Sequence, residues 1–167
     1  KLRIALLEKE EELSFGVSKS NSGIIHPGTQ NPPQSLKGRL CVKGNLLTRQ
    51  MAREFDIDFK QCGELIVAFS EEERARLEQI RRDGETLGVP CLEIVGEAWL
   101  REHEPNLSRD VIAALHAPTA GIISPYRWVY ALSAQAHANN VRFFTSAKVS
   151  GIARQGSVFR VDAGTRR

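Results

Sequence analysis

Residues 14–28 read SFGVSKSNSGIIHPG, in which hydroxyls, amides and glycines surround one cation, Lys19, and lead to one histidine, His26, between Ile25 and Pro27. The segment offers many backbone N–H groups, several hydroxyls and a positive charge, which suits a diphosphate or another extended polar ligand. By composition alone it also reads as an ordinary surface loop, because Ser, Gly and Asn are the residues loops use. It follows a short apolar run, residues 2–7, that ends in the acid Glu8.

Other chemistry is sparse. The sequence holds no H-E-x-x-H, no G-x-x-x-x-G-K-[ST] phosphate loop and no G-x-S-x-G nucleophile turn, and His103, His116 and His137 lack metal-ligand spacing, so no metal site is expected. Cys41, Cys62 and Cys91 are odd in number and form no C-x-x-C pair, which argues against a disulfide framework or a zinc knuckle and fits a reducing cytoplasm. Lys and Arg number 23 against 20 Asp and Glu, a net charge of +3 with both signs interspersed, so nucleic acid is not implied. A length of 167 residues, 41% hydrophobic and 26% charged, is enough for a domain with a real core. No apolar run approaches a membrane span, and no signal-peptide pattern opens the chain.

The elements that must carry these residues follow from local signals. Residues 2–7 form a nearly continuous apolar run, short enough to be a strand covered on both faces. Ser35 can cap a helix whose apolar face is drawn by Leu36, Leu40, Leu47, Met51 and Phe55. Gly44 weakens that helix by about 1 kcal/mol relative to Ala, which suggests close packing there. Residues 59–69 read as a strand with a bulge or close approach at Gly63. Ser70 with Glu73 forms a capping box, and the helix it opens stops at Gly88. Residues 91–95, 111–117, 141–144, 148–153 and 157–161 are strand candidates, with residues 97–104 a short helix and Gln155-Gly156 a hairpin turn. Ser124-Pro125 starts a helix in which Tyr126, Val129, Tyr130 and Ala136 can face inward.

Read as E-K, a spacer and then G-V-S-K-S-N-S-G-I-I-H-P-G, the first 28 residues resemble the second strand and flavin loop of FAD-dependent glycerol-3-phosphate and L-2-hydroxyglutarate dehydrogenases, within the D-amino-acid-oxidase-like flavoproteins. The runs S-L-K-G-R-L at 35–40, G-E-L-I-V-A-F at 63–69, E-P-N-L-S at 104–108 and A-P-T-A-G-I-I-S-P at 117–125 are similar to further landmarks of that family, in the same order. The resemblance covers nearly the whole chain. The family's G-x-G-x-x-G turn is absent from it, so the chain reads as an internal piece of a longer member.

The resemblance implies an α/β fold with an α+β substrate part: an incomplete FAD-binding Rossmann-like domain from residues 1–34 and 140–167, and a mixed-sheet substrate-domain portion with connecting helices from residues 35–139. It implies FAD as cofactor. Glu8, at the tip of the second strand, would accept hydrogen bonds from the adenosine ribose hydroxyls. Lys9, Ser18, Lys19, Asn21 and Ser22 would line the cofactor, and Val149 would touch the adenine. His26 falls near the isoalloxazine ring, where it would bind or polarise substrate or fix the flavin, although a lone histidine is also a common structural hydrogen-bonding residue.

The implied reaction oxidises a hydroxyl-bearing carbon of a small hydroxy acid or polyol phosphate, with glycerol 3-phosphate placed before L-2-hydroxyglutarate. A parent enzyme of this kind has room for peripheral membrane or electron-acceptor contact. The reading from a different class is a non-catalytic α/β interaction domain. Without the glycine turn the isolated chain is expected not to retain FAD. Its first strand is expected to be disordered, displaced or paired with another copy.

Overall fold

A computed structural model describes residues 2–165, so Lys1, Arg166 and Arg167, at the ends of the expected flavin-domain segments, lie outside the described residues. The fold is mixed α/β, and it divides into two compact units, Lys1–Ser22 with Ser124–Arg167, and Gly23–Ile123. Residues 23–34 therefore belong to the second unit and residues 124–139 to the first.

In the first unit, β1 (Ala5–Leu7) runs parallel to β8 (Arg142–Phe144), with Ala5 opposite Arg142 and Leu7 opposite Phe144. The ladder continues through Glu8 N–H to Phe144 O at 2.9 Å and Arg142 N–H to Ile4 O at 3.0 Å. The first strand is thus formed and paired within the chain, rather than disordered or displaced, because β8 supplies one full edge of hydrogen bonds. Its other edge bears no strand among the described residues, and Leu6 and Leu7 remain exposed. Backbone bonds from Ser146 to Glu10 and from Ala147 to Glu8 tie the two ends of the chain together and lead into β9 (Ala147–Gln155).

β9 forms an antiparallel hairpin with β10 (Val158–Thr165). Gln155 pairs with Val158, so the two-residue turn is Gly156-Ser157, one position later than expected, and Gly156 takes the left-handed φ of +63° the turn requires. α4 (Pro125–Ala138) starts at Ser124 with proline in its first turn, as expected. It buries no residue, and Tyr126 and Tyr130 are exposed rather than inward-facing; the Tyr130 hydroxyl donates to Glu12 at 3.1 Å, which keeps the polar end of the ring at the surface.

The second unit is built on an antiparallel sheet in which β6 (Ala113–Ala117) lies between β4 (Glu64–Ala68) and β5 (Glu93–Gly96). The two-residue period of β6 divides its side chains. Ala113 and Leu115 join Leu77 of α2 (Glu71–Leu87) in one buried cluster, and Ala114 joins Leu100 of α3 (Glu97–His103) in another. α2 has the expected ends: Glu73 N–H donates to Ser70 Oγ, Phe69 N–H donates to the Glu73 carboxylate, and Gly88 caps with φ of +85°.

A smaller sheet places β7 (Gly121–Ile123) between β2 (Ile24–Ile25) and β3 (Phe59–Lys60). The single strand expected over residues 59–69 is broken at Gly63, whose φ of +76° sends β3 and β4 into different sheets. α1 (Leu36–Glu54) begins at Ser35, whose Oγ accepts from Gly38 N–H at 2.9 Å. Its buried stripe is Gly38, Asn45 and Ala52, not the expected leucine face; Leu36, Leu40 and Leu47 are exposed. Close approach selects that stripe, since a Cβ at Gly38 would lie 2.9 Å from Pro32 O and 3.1 Å from Leu87, whereas Gly44, expected to pack closely, faces open space.

Candidate functional site

His26 follows β2, and its backbone is held from several sides. Ile25 pairs with Gly121, a position where a Cβ would sit 2.5 Å from the Phe59 ring and 2.6 Å from Lys60 O, so only glycine lets β7 approach β3 on its other side. Asn45, 4% exposed, reaches across from α1, and its amide N–H₂ donates to Thr119 O at 2.9 Å, His26 O at 3.3 Å and Ile25 O at 3.4 Å. The Cys41 thiol donates to the same His26 carbonyl at 3.6 Å. Pro27 is fully buried, and Gly28, at φ of +114°, turns the chain where a Cβ would strike Val42.

The ring is oriented by a carboxylate. His26 Nδ1 lies 2.7 Å from Glu64 Oε2, and Thr29 Oγ1 donates to Glu64 Oε1 at 3.4 Å. Glu64 opens β4 directly after Gly63, whose N–H donates to Ala120 O at 3.0 Å, and its side chain is only 15% exposed against 48% for His26. With the ring proton on Nδ1 and donated to Glu64, Nε2 keeps its lone pair and has no protein partner among the described residues. A nitrogen base, an acid that fixes its orientation and open access to the basic atom are the parts of a proton-abstraction site.

The other residues implied by the flavin-loop resemblance lie in the first unit. Glu8 stands at the end of β1, where Oε1 accepts from Glu10 N–H at 2.9 Å while Oε2 has no partner among the described residues. Lys9 pairs with Glu10 at 3.6 Å. Ser18 and Ser22 are exposed, Asn21 donates to Val17 O at 2.8 Å, and Lys19 Nζ lies 4.5 Å from the centroid of the Phe15 ring. Val149 is in β9, opposite Ala163, and 42% exposed. An acid with an open oxygen at a strand tip, followed by exposed hydroxyls and a cation, fits the ribose and diphosphate of a dinucleotide.

Sequence reasoning singled out His26 but not Glu64, Thr29 or Asn45. Glu64 is an isolated acid at the head of an apolar strand, and Asn45 is the polar member of a seven-residue spacing of small residues in α1, so each left a faint signal. Among the described residues no group of three His, Cys, Asp or Glu side chains could hold a metal ion, and no helix is long and apolar enough to cross a membrane.

The second unit, taken by itself, holds an oriented base, and the first holds groups suited to a dinucleotide. The comparison with known families agrees: the model described as FAD dependent oxidoreductase matches residues 1–167, and the chain belongs to that family. It is 38% identical over 160 residues to a glycerol 3-phosphate dehydrogenase of Caloramator mitchellensis, a match covering 96% of this chain and 33% of the relative. It is 38% identical over 128 residues to the mitochondrial L-2-hydroxyglutarate dehydrogenase of Homo sapiens, covering 77% of this chain and 27% of the relative. Among solved structures, the dithionite-reduced L-alpha-glycerophosphate oxidase from Mycoplasma pneumoniae with FAD bound superposes with a TM-score of 0.89 at 25% identity, over 99% of this chain and 44% of that one. The chain spans about a third of the length of the curated relatives it matches.

Proposed function

We propose that the chain is part of an FAD-dependent dehydrogenase that oxidises the hydroxyl-bearing carbon of a small anionic substrate, with glycerol 3-phosphate first and L-2-hydroxyglutarate as the alternative. The observation that carries this reading is the 2.7 Å contact of His26 Nδ1 with Glu64 beside an unpartnered Nε2. His26 Nε2 takes the substrate hydroxyl proton; Glu64 holds the ring and balances the positive charge the ring acquires; Asn45 fixes the backbone that carries it. Bound FAD would supply the hydride acceptor.

In this reading the unit of residues 1–22 and 124–167 carries the flavin side and the unit of residues 23–123 the substrate side. Glu8 binds the ribose hydroxyls; Lys9, Ser18, Lys19, Asn21 and Ser22 line the cofactor; Val149 lies against the adenine. The three free cysteines support a reducing, cytoplasmic setting, and the open edge of β1 supports pairing with a second copy. The test is anaerobic reduction of a flavin-loaded enzyme carrying this segment, with glycerol 3-phosphate and L-2-hydroxyglutarate offered in turn. Bleaching of the oxidised flavin band by one of them identifies the substrate, and bleaching by neither removes this reading.

A further inference from the structure

The small sheet of the second unit, in which β7 lies between β2 and β3, has one covered face and one open face. Ile25, Ile123 and Phe59 belong to the covered face: Ile123 is buried, and the Phe59 ring lies against Gly121. On the open face Ile24 stands opposite Ile122, and Ile122 opposite Lys60, so these three side chains form one row across the strands. All three are exposed. His26 follows the inward-facing Ile25 and so returns to the open face, in keeping with its half-exposed side chain.

The base and this cation therefore share a face from opposite edges of the sheet. Neighbouring strands lie about 4.8 Å apart, which puts β2 and β3 about 10 Å apart across β7, so the two side chains can hold opposite ends of a small molecule laid over the sheet. Lys60 has no ion-pair partner among the described residues, and its row contains no acid. Its ammonium, on a flexible four-carbon stem, is a point charge that suits a phosphate as well as a carboxylate. The isoleucine side chains between the two edges offer no competing donor or acceptor.

We propose that Lys60 is the specificity-determining cation of the site: it pairs with the anionic group of the substrate remote from the oxidised carbon, while His26 Nε2 takes the hydroxyl proton at the other end. The inference rests on the reading of His26 as the base, and it adds the residue that selects a charged hydroxy compound over a neutral alcohol. The phosphate of glycerol 3-phosphate and the distal carboxylate of L-2-hydroxyglutarate present the same chemistry to Lys60.

The test is rapid-mixing anaerobic reduction of a flavin-loaded enzyme carrying this segment, at varied concentrations of glycerol 3-phosphate and of L-2-hydroxyglutarate. In Lys60→Gln the half-saturating concentration of the reducing substrate should rise about tenfold or more, the worth of a lost charge-assisted hydrogen bond, with the limiting rate unchanged. Lys60→Arg should restore most of the affinity, and both replacements keep an exposed polar side chain on an edge strand, so the fold is retained. With the counterpart lacking the remote charge, glycerol or L-2-hydroxypentanoate, Lys60→Gln should match the parent, and the substrate that shows the loss tells phosphate from carboxylate. A parent reduced normally, beside a Lys60→Gln variant with unchanged half-saturation or with a fall in limiting rate alone, would overturn the role of Lys60 and leave it a lysine that guards a sheet edge. A parent reduced by neither substrate would overturn the reading of His26 and this inference with it.

Discussion

His26 and Glu64 are 38 residues apart in the chain, yet Nδ1 and Oε2 meet at 2.7 Å, because the turn at Pro27-Gly28 and the break at Gly63 bring the end of β2 and the start of β4 side by side. The acid is the more buried partner, so the imidazole, not the carboxylate, presents its free atom outward.

The pair makes unequal demands on its members. In an active flavin-loaded enzyme carrying this segment, His26→Ala should lower the rate of flavin reduction by about 10² to 10⁴, the usual contribution of a general base. Glu64→Ala should lose less, since Nε2 survives in a ring that is only misoriented, and substrate affinity should change little in either. Rapid-mixing reduction of the flavin measures both; a Glu64→Ala rate equal to the parent's would remove Glu64 as the orienting group.

Asn45 is a stability determinant of the same region. Asn45→Ala deprives three carbonyls of one amide donor and should cost about 1–3 kcal/mol. Urea unfolding of the chain followed by circular dichroism reads this directly. A change below about half a kcal/mol, the range of an ordinary surface substitution, would show that water replaces the amide without loss.

The two glycines of α1 should respond in opposite directions. Gly44→Ala adds a methyl group to open space in a helix and should stabilise by about 0.5–1 kcal/mol. Gly38→Ala pushes a Cβ against Pro32 O and Leu87 and should destabilise by about 1–3 kcal/mol. Thermal midpoints of the two variants, compared with the unsubstituted chain, give the signs.

Burial pushes the Cys41 thiol above its ordinary ionisation range, with Lys37 opposing and Glu64 adding to the rise. Alkylation under mildly alkaline conditions should therefore modify the exposed Cys62 and Cys91 first and Cys41 last, the gap closing as pH increases. Because the unfolded thiol ionises first, this group favours the folded state below its ordinary value, and that contribution is lost as pH rises through the raised one. Mass spectrometry of peptides after timed alkylation checks the order, and early labelling of Cys41 would contradict it.

Glu8→Ala, in a flavin-loaded enzyme carrying this segment, should weaken FAD retention by about 1.5–3 kcal/mol through the lost charge-assisted hydrogen bonds. Dialysis against apo-protein measures it, and unchanged retention removes Glu8 from the ribose.

What the sequence determined by itself is the punctuation and the family. Ser35, Ser70, Gly88 and Pro125 mark helix ends through interactions within a few residues, and α1, α2 and α4 begin or stop where those residues stand. The ordered landmarks from the flavin loop to residue 125 point to an FAD oxidoreductase for the same reason: each is a local run, legible without knowing what it touches.

The tertiary structure alone decided which face of α1 is buried, because periodicity marks several apolar stripes, while the room left by Pro32 and Leu87 admits only the one with Gly38, Asn45 and Ala52. It alone joined His26 to Glu64 and laid the Asn45 amide against three carbonyls. Those relationships depend on strand pairings and close approaches between residues tens of positions apart, and no local propensity encodes them.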